Sequence, residues 1–195
     1  MSQNKFNLIK ELLKSSTTVF SFKELLLLSG GMDPSLLKSQ LHYYIIKGEL
    51  YKLRRGLYAK NKDYNRFEVA TKIYIPSYIS FETVLSRSGI IFQYYNQIFV
   101  ATYASKTIEC DGQVYTLRTI KDTILTDNKG IILEESYSIA SCERALLDTL
   151  YLNHEYHFDN LRPINWATLY DLLPLYNNKR MLKKINSYYN AFKAS

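Results

Sequence analysis

Apolar positions in the first third of the chain recur at helical spacing and are broken by glycines and capping residues. Over Lys5 to Lys14, Phe6, Ile9, Leu12 and Leu13 fall on one helical face, with Lys10, Glu11 and Lys14 off it. Thr17–Phe20 is a short β-prone stretch. Ser21-Phe22-Lys23-Glu24 has the form of a capping box, and the helix it starts runs through Leu25–Leu28 and stops at Gly30-Gly31. Asp33 at N-cap and Pro34 at N1 restart the chain as a helix with Leu37, Leu41, Tyr44 and Ile45 on one face, ending at Lys47-Gly48. Glu49–Leu53, the turn Arg54-Arg55-Gly56 and Leu57–Lys60 then read as strand, turn, strand. Two capped helices joined by a glycine turn and followed at once by a hairpin predict a winged helix-turn-helix over residues 1–62.

Beyond it the period changes. Polar residues from Asn61 to Arg66 predict a linker, and residues 63–195 a second, α+β domain. Glu68–Ile73 fits a short helix or strand. Ser80–Leu85 fits a helix closed at Ser88-Gly89. β-prone runs follow at Ile90–Tyr95, Ile98–Tyr103, Lys106–Cys110, Gln113–Ile120 and Thr123–Leu125, with Asp111-Gly112 as a hairpin signal. Gly130–Leu133 and Glu135–Ser138 fit a further strand or two, and Ser141 caps a helix through Leu152. The expectation is a mixed α/β domain built on an antiparallel sheet. A helical tail spans about 163–195. Trp166, Leu169, Leu172 and Leu173 form one apolar face before Pro174; Met181, Leu182, Ile185, Tyr188, Tyr189 and Phe192 form another.

Charge separates the halves. The chain carries +7 overall; residues 1–62 hold 11 Lys/Arg against 4 Asp/Glu, so the whole excess sits in the predicted winged helix. Residues 63–159 are net −5 and residues 160–195 net +5. A basic winged helix predicts binding to double-stranded DNA. The contact set follows from the pattern. Ser35, Lys38, Ser39 and His42 fall on the outer face of the second helix, which would enter the major groove. Lys52, Arg54, Arg55 and Lys60 fall on the hairpin, suited to phosphate or minor-groove contact.

Other chemistries find little support. Cys110 and Cys142 lack metal or disulfide spacing, and His154 and His157 lack further ligands nearby, so no metal and no cofactor is expected. No Walker loop, GxGxxG or HExxH occurs. Glu143 and Asp148 lie five residues apart on a predicted helix and so on different faces, whereas Arg144 and Asp148 are placed to pair at i, i+4. The chain is not expected to be an enzyme. It has no apolar run of about 20 residues and no apolar leader, so a cytoplasmic protein with reduced thiols and no membrane contact is expected.

Three stretches together resemble the AbiEi family. The first is Phe22–Leu26 with Leu41–Ala59; the second is Ile75-Pro76-Ser77-Tyr78-Ile79-Ser80-Phe81-Glu82; the third is Ile139–Asp148, containing Glu143-Arg144-Ala145-Leu146-Leu147-Asp148. They agree in order and spacing over residues ~20 to ~150, with Cys142 a departure where a proline or small residue is expected. These are antitoxins and transcriptional regulators of type IV toxin–antitoxin systems, which act in phage defence. The resemblance implies that the winged helix represses its own operon by binding an operator, expected to be an inverted repeat. It also implies that the second domain counteracts a cognate nucleotidyltransferase-like toxin. The alternative is a stand-alone winged-helix regulator whose second domain senses a ligand or protein.

Overall fold

The computed structural model describes residues 8–194. The chain divides into two compact units, Met1–Ile73 and Tyr74–Ser195. The class is α+β, as the sequence pattern indicates.

The first unit runs α1 (Leu8–Lys14), β1 (Val19–Ser21), α2 (Phe22–Leu28), α3 (Pro34–Ile46), β2 (Tyr51–Arg54), β3 (Leu57–Ala59) and α4 (Arg66–Lys72). The start of the expected first helix, including Phe6, lies outside the described residues. The strands form an antiparallel sheet in the order β1-β3-β2. This is a winged helix. Its local devices match the sequence pattern. Ser21 Oγ accepts from Glu24 N at 3.2 Å while Glu24 Oε2 accepts from Ser21 N at 2.6 Å. Asp33 Oδ1 accepts from Ser35 N and Leu36 N, and Pro34 occupies N1 of α3. Gly30 and Gly31 take φ of +70° and +81°, which the turn between α2 and α3 requires. Leu8, Leu12, Phe20, Leu25, Leu37, Leu41, Leu50 and Tyr58 pack as one core. Each such leucine contributes roughly 1.5–3 kcal/mol by leaving water.

The polar stretch after β3 does not separate the units. Residues 63–73 belong to the first one. The reason is Glu68, 1% exposed on α4. Its carboxylate accepts from Thr18 N at 2.9 Å, Val19 N at 2.7 Å and Thr18 Oγ at 2.9 Å. It thereby covers the outer edge of β1, which would otherwise present unpaired amides. Lys72, one turn on, donates to Val19 O at 2.6 Å and Glu24 Oε1 at 2.8 Å.

The second unit is built on a six-stranded sheet in the order β6-β7-β5-β4-β9-β8. Its strands are β4 (Ser77–Ile79), β5 (Ile98–Thr102), β6 (Lys106–Cys110), β7 (Gln113–Thr119), β8 (Ile131–Leu133) and β9 (Ser138–Ala140). The helices are α5 (Glu82–Arg87), α6 (Asp122–Leu125), α7 (Cys142–Leu152), α8 (Trp166–Leu172) and α9 (Lys179–Ala194), with a 3-10 turn at Leu173–Tyr176. The sheet is mixed rather than antiparallel: β5 pairs parallel to β7, and β4 parallel to β9. The β6–β7 hairpin forms as expected, with Asp111 and Gly112 both at positive φ. Two expected strands do not form. Ile90–Tyr95 gives its backbone to another loop: Ile90 O accepts from Asp159 N and Asn160 N, and Asp159 Oδ2 accepts from Phe92 N. Thr123–Leu125 lies in α6, where Lys121 O accepts from Ile124 N and Leu125 N and both side chains are buried. Tertiary burial overrides β-propensity there.

The helix α7 is buried along its length from Glu143 to Leu150. The tail covers part of it, with α8 packed on α7. The helix α8 stops at Leu172 and Pro174 lies in the 3-10 turn that follows, and Met181 and Ile185 are the buried positions of α9.

Candidate nucleic-acid interface

The helix α3 presents the outer face that its periodicity implies. Leu37 and Leu41 are fully buried and Tyr44 and Ile45 half-buried, so Ser35, Lys38, Ser39 and His42 are left exposed. Ser35 Oγ donates to Asp33 Oδ1, and Ser39 Oγ donates to Ser35 O at 3.1 Å, so both hydroxyl oxygens keep acceptor capacity. The Asp33 carboxyl is held below its ordinary value by the Ser35 hydroxyl and then by the Leu36 and Ser35 amides, so the N-cap stays ionised. Lys38 Nζ stands 5.7 Å from the Phe22 ring, which links the helix-turn-helix pair at its rim.

The wing is shorter and tighter than the sequence suggested. A bulge between Lys52 and Arg54 puts Arg54 at the end of β2 opposite Leu57, so the turn is Arg55-Gly56. Arg55 is exposed at the tip and Lys52 is exposed on the strand. Arg54 is half-buried, and its Nη1 is buried with no hydrogen-bond partner among the described residues. Lys60 is not a free cation of the wing: its Nζ donates to Ser15 O at 2.6 Å and ties β3 to the segment before β1. The eight expected contact residues therefore divide. Ser35, Lys38, Ser39, His42, Lys52 and Arg55 form the outer surface of α3 and the wing; Arg54 and Lys60 lean inward.

The same face carries groups that polarity alone did not select. Leu36, Tyr43 and Ile46 are 54%, 52% and 73% exposed. Together with Ser39 they repeat at helical spacing along the outside of α3, and Lys47 Nζ lies 4.6 Å from the Tyr43 ring. A helical projection of the sequence contains this stripe; a choice of contact residues by polarity passes over it.

In the second unit, the Tyr78/Ser80 and Arg144/Asp148 stretches meet. Arg144 and Asp148 are both 0% exposed. Asp148 Oδ2 accepts from Ser80 Oγ at 2.7 Å and Tyr78 Oη at 3.0 Å; Oδ1 accepts from Tyr176 Oη at 2.6 Å and Arg144 Nε at 3.4 Å. Arg144 also donates to Ile124 O and Lys129 O, each at 2.6 Å, and to Tyr78 Oη at 3.1 Å. Burial pushes the Asp148 carboxyl up, while the Arg144 guanidinium and three hydroxyls pull against that. Burial and then Asp148 push both phenols well up, so Tyr78 and Tyr176 remain donors. Every polar group of this cluster is spent on another element, which is a structural assignment. The i, i+4 pair is therefore real, and Tyr176, from the tail, is the member that the sequence pattern did not single out.

Two other carboxylates are similarly committed. Glu82 makes a bidentate ion pair with Arg118, the shortest contact being 2.8 Å. Glu143 Oε1 accepts from Asn165 N and Cys142 Sγ. The Cys142 thiol is pushed up to about 12 by burial and then by Glu143, which makes it a poor nucleophile. Among the described residues no group of three His, Cys, Asp or Glu side chains is placed to hold a metal ion. Among them, too, no helix is long and apolar enough to cross a membrane.

No family model matches the chain, and no curated protein matches it. The crystal structure of the RV2827C protein from Mycobacterium tuberculosis is similar at a TM-score of 0.45 and 15% sequence identity, over 92% of this chain and 70% of that one. A likeness that loose carries neither fold nor function across.

Proposed function

We propose that this chain is a non-enzymatic, cytoplasmic DNA-binding regulator of the AbiEi antitoxin type. In this reading it represses its own operon through α3 and the wing, and counteracts a nucleotidyltransferase-like toxin through the second unit. The observation that carries the DNA reading is the outer surface of α3 and the Arg55 tip on the unit that holds the whole net charge. Residues 63–73 add two basic and two acidic residues, so the unit Met1–Ile73 keeps +7. Lys38 and the Ser35 and Ser39 hydroxyls have the chemistry for base edges, and Arg55 and Lys52 that for phosphates. Exposed Leu36, next to Ser35, suits a thymine methyl. The antitoxin reading rests on the AbiEi resemblance. It is supported by the meeting of two of the resembling stretches in one buried cluster, which makes them parts of one fold kernel.

The test is fluorescence-anisotropy binding to the DNA upstream of the chain's own reading frame, across a range of salt. Wild type should bind a specific site. Arg55→Ala should lower the magnitude of the log K against log [salt] slope by about 0.9, the loss of one phosphate contact. Lys38→Ala should reduce the preference for that site over unrelated DNA. An unchanged slope and unchanged preference would refute this surface as the interface. One observation favours a second reading, that this winged helix docks a protein: the exposed Leu36, Tyr43 and Ile46 stripe. Failure to bind DNA, combined with toxin capture lost in Tyr43→Ala with Ile46→Ala, would select it. Co-expression with the product of an adjoining nucleotidyltransferase-like gene tests the antitoxin role: rescue of growth supports it, and continued toxicity counts against it.

A further inference from the structure

The start of α9 breaks a local rule. Its first two turns hold Lys179, Arg180, Lys183 and Lys184, with no acidic residue in the first turn. Cations at the positive end of a helix repel the macrodipole, and helices ordinarily carry acids there. Only Lys184 has an ion-pair partner among the described residues, Glu155 at 3.1 Å. Local conflicts of this kind concentrate where a protein has a function to serve.

These cations are not spread over a flat surface. A cavity of about 490 Å³ opens at this helix end, within the size range of small-ligand sites. Its walls come from separate elements. Lys121 stands before α6, His154 follows α7, and Lys179 and Arg180 begin α9. No carboxylate lines it. Tyr151 and Tyr176, whose rings are 5.8 Å apart, supply an aromatic wall. Arg180 and His154 also line an adjoining cavity of about 260 Å³, which Lys183 and Lys184 border. Asn178 Oδ1 already accepts from Arg180 N and Met181 N, so side chains rather than those backbone amides would meet a ligand.

We infer that this cavity is a binding site for a small phosphate ester of about mononucleotide size. Lys121, Lys179 and Arg180 hold the phosphoryl group, and Tyr151 flanks the remainder. Three cations that line one cavity suit a compact, doubly charged anion. The concave shape and aromatic wall favour a small molecule over a nucleic-acid backbone. Tyr176 lines the cavity and also donates to Asp148, so the occupant would contact the buried cluster directly. The inference is independent of DNA binding by the first unit.

Calorimetric titration of the full chain with 5′-AMP, and separately with inorganic phosphate, tests it. Wild type should bind 5′-AMP, and phosphate should compete. Lys179→Ala with Arg180→Ala, and separately Lys121→Ala, should weaken 5′-AMP binding at least ~10-fold, the loss of about one charge-assisted contact. All three side chains are exposed, so folding, checked by circular dichroism, should survive. Arg55→Ala in the wing should leave 5′-AMP binding unchanged. Absence of binding to either probe, or equal binding by the variants, overturns the site. Loss of duplex affinity in the α9 variant overturns the small-ligand assignment in favour of a phosphodiester backbone.

Discussion

Replacing Asp148 by alanine tests the buried cluster most directly. The carboxylate is 0% exposed and accepts from four groups: Ser80, Tyr78, Tyr176 and Arg144. Alanine leaves three hydroxyls short of an acceptor and a guanidinium without its counter-charge, all inside the second unit. Removing one partner of a buried ion pair costs about 3–5 kcal/mol. That is a large share of the ~5–15 kcal/mol total stability of an ordinary domain. Tyr176→Phe deletes one donor and leaves three, and should cost about 1.5–3 kcal/mol, the worth of a hydrogen bond to a charged group. The assay is urea unfolding followed by fluorescence. The sole tryptophan, Trp166, lies in α8 against Tyr189 and Phe192, so its emission reports on the second unit. The order wild type, Tyr176→Phe, Asp148→Ala in falling midpoint is expected. A loss below about 1 kcal/mol in Asp148→Ala would refute the view that this cluster holds the unit together.

Three other outcomes follow from the geometry. Glu68→Ala should destabilise the first unit by about 1–3 kcal/mol, by uncovering the Thr18 and Val19 amides; amide hydrogen exchange at Val19 would show it, and unchanged protection would contradict the role of Glu68. Gly130→Ala should cost about 1–3 kcal/mol, because a Cβ there would lie 2.9 Å from Leu172 Cδ1 and 3.0 Å from Arg144 Cβ at a φ of +70°; a wild-type thermal midpoint would count against this packing. Burial alone would raise the Glu24 carboxyl, but the Lys72 ammonium and Ser21 hold it below its ordinary 4.5. A carboxylate depressed in the folded state adds stability that is present above 4.5 and lost as pH falls through the folded value. Acid unfolding of the first unit, followed by far-ultraviolet circular dichroism below pH 5, should therefore be flattened in Glu24→Gln, and an unaltered profile would remove this pair from the account.

The winged helix was legible because its signals are local. A capping box, an Asp-Pro helix start, glycines at positive φ and a glycine-containing hairpin turn each act within a few positions. Their chemistry is complete before any long-range contact forms. The exposed face of α3 follows from helical period alone; choosing its contact residues by polarity leaves out the apolar members Leu36, Tyr43 and Ile46. The second unit was legible only in part. Its hairpin at Asp111-Gly112 is local and formed as expected. The parallel pairings of β5 with β7 and β4 with β9 join strands distant in sequence, and no local pattern specifies them.

The sequence by itself determined the order of capped helices, the hairpin after α3, the confinement of the net charge to the first unit and the helical spacing of Arg144 and Asp148. Tertiary structure decided what each charged group does. It turned Lys60 and Arg54 inward, gave Glu68 to the edge of β1, and gathered Tyr78, Ser80, Arg144, Asp148 and Tyr176 into one cluster. It also gathered Lys121, Lys179 and Arg180 around one cavity. The physical reason is range. Capping and turn geometry are set by neighbours along the chain. Whether a cation faces water, a carbonyl or a carboxylate depends on which distant element is packed against it, and desolvation then fixes the cost of leaving it unpaired.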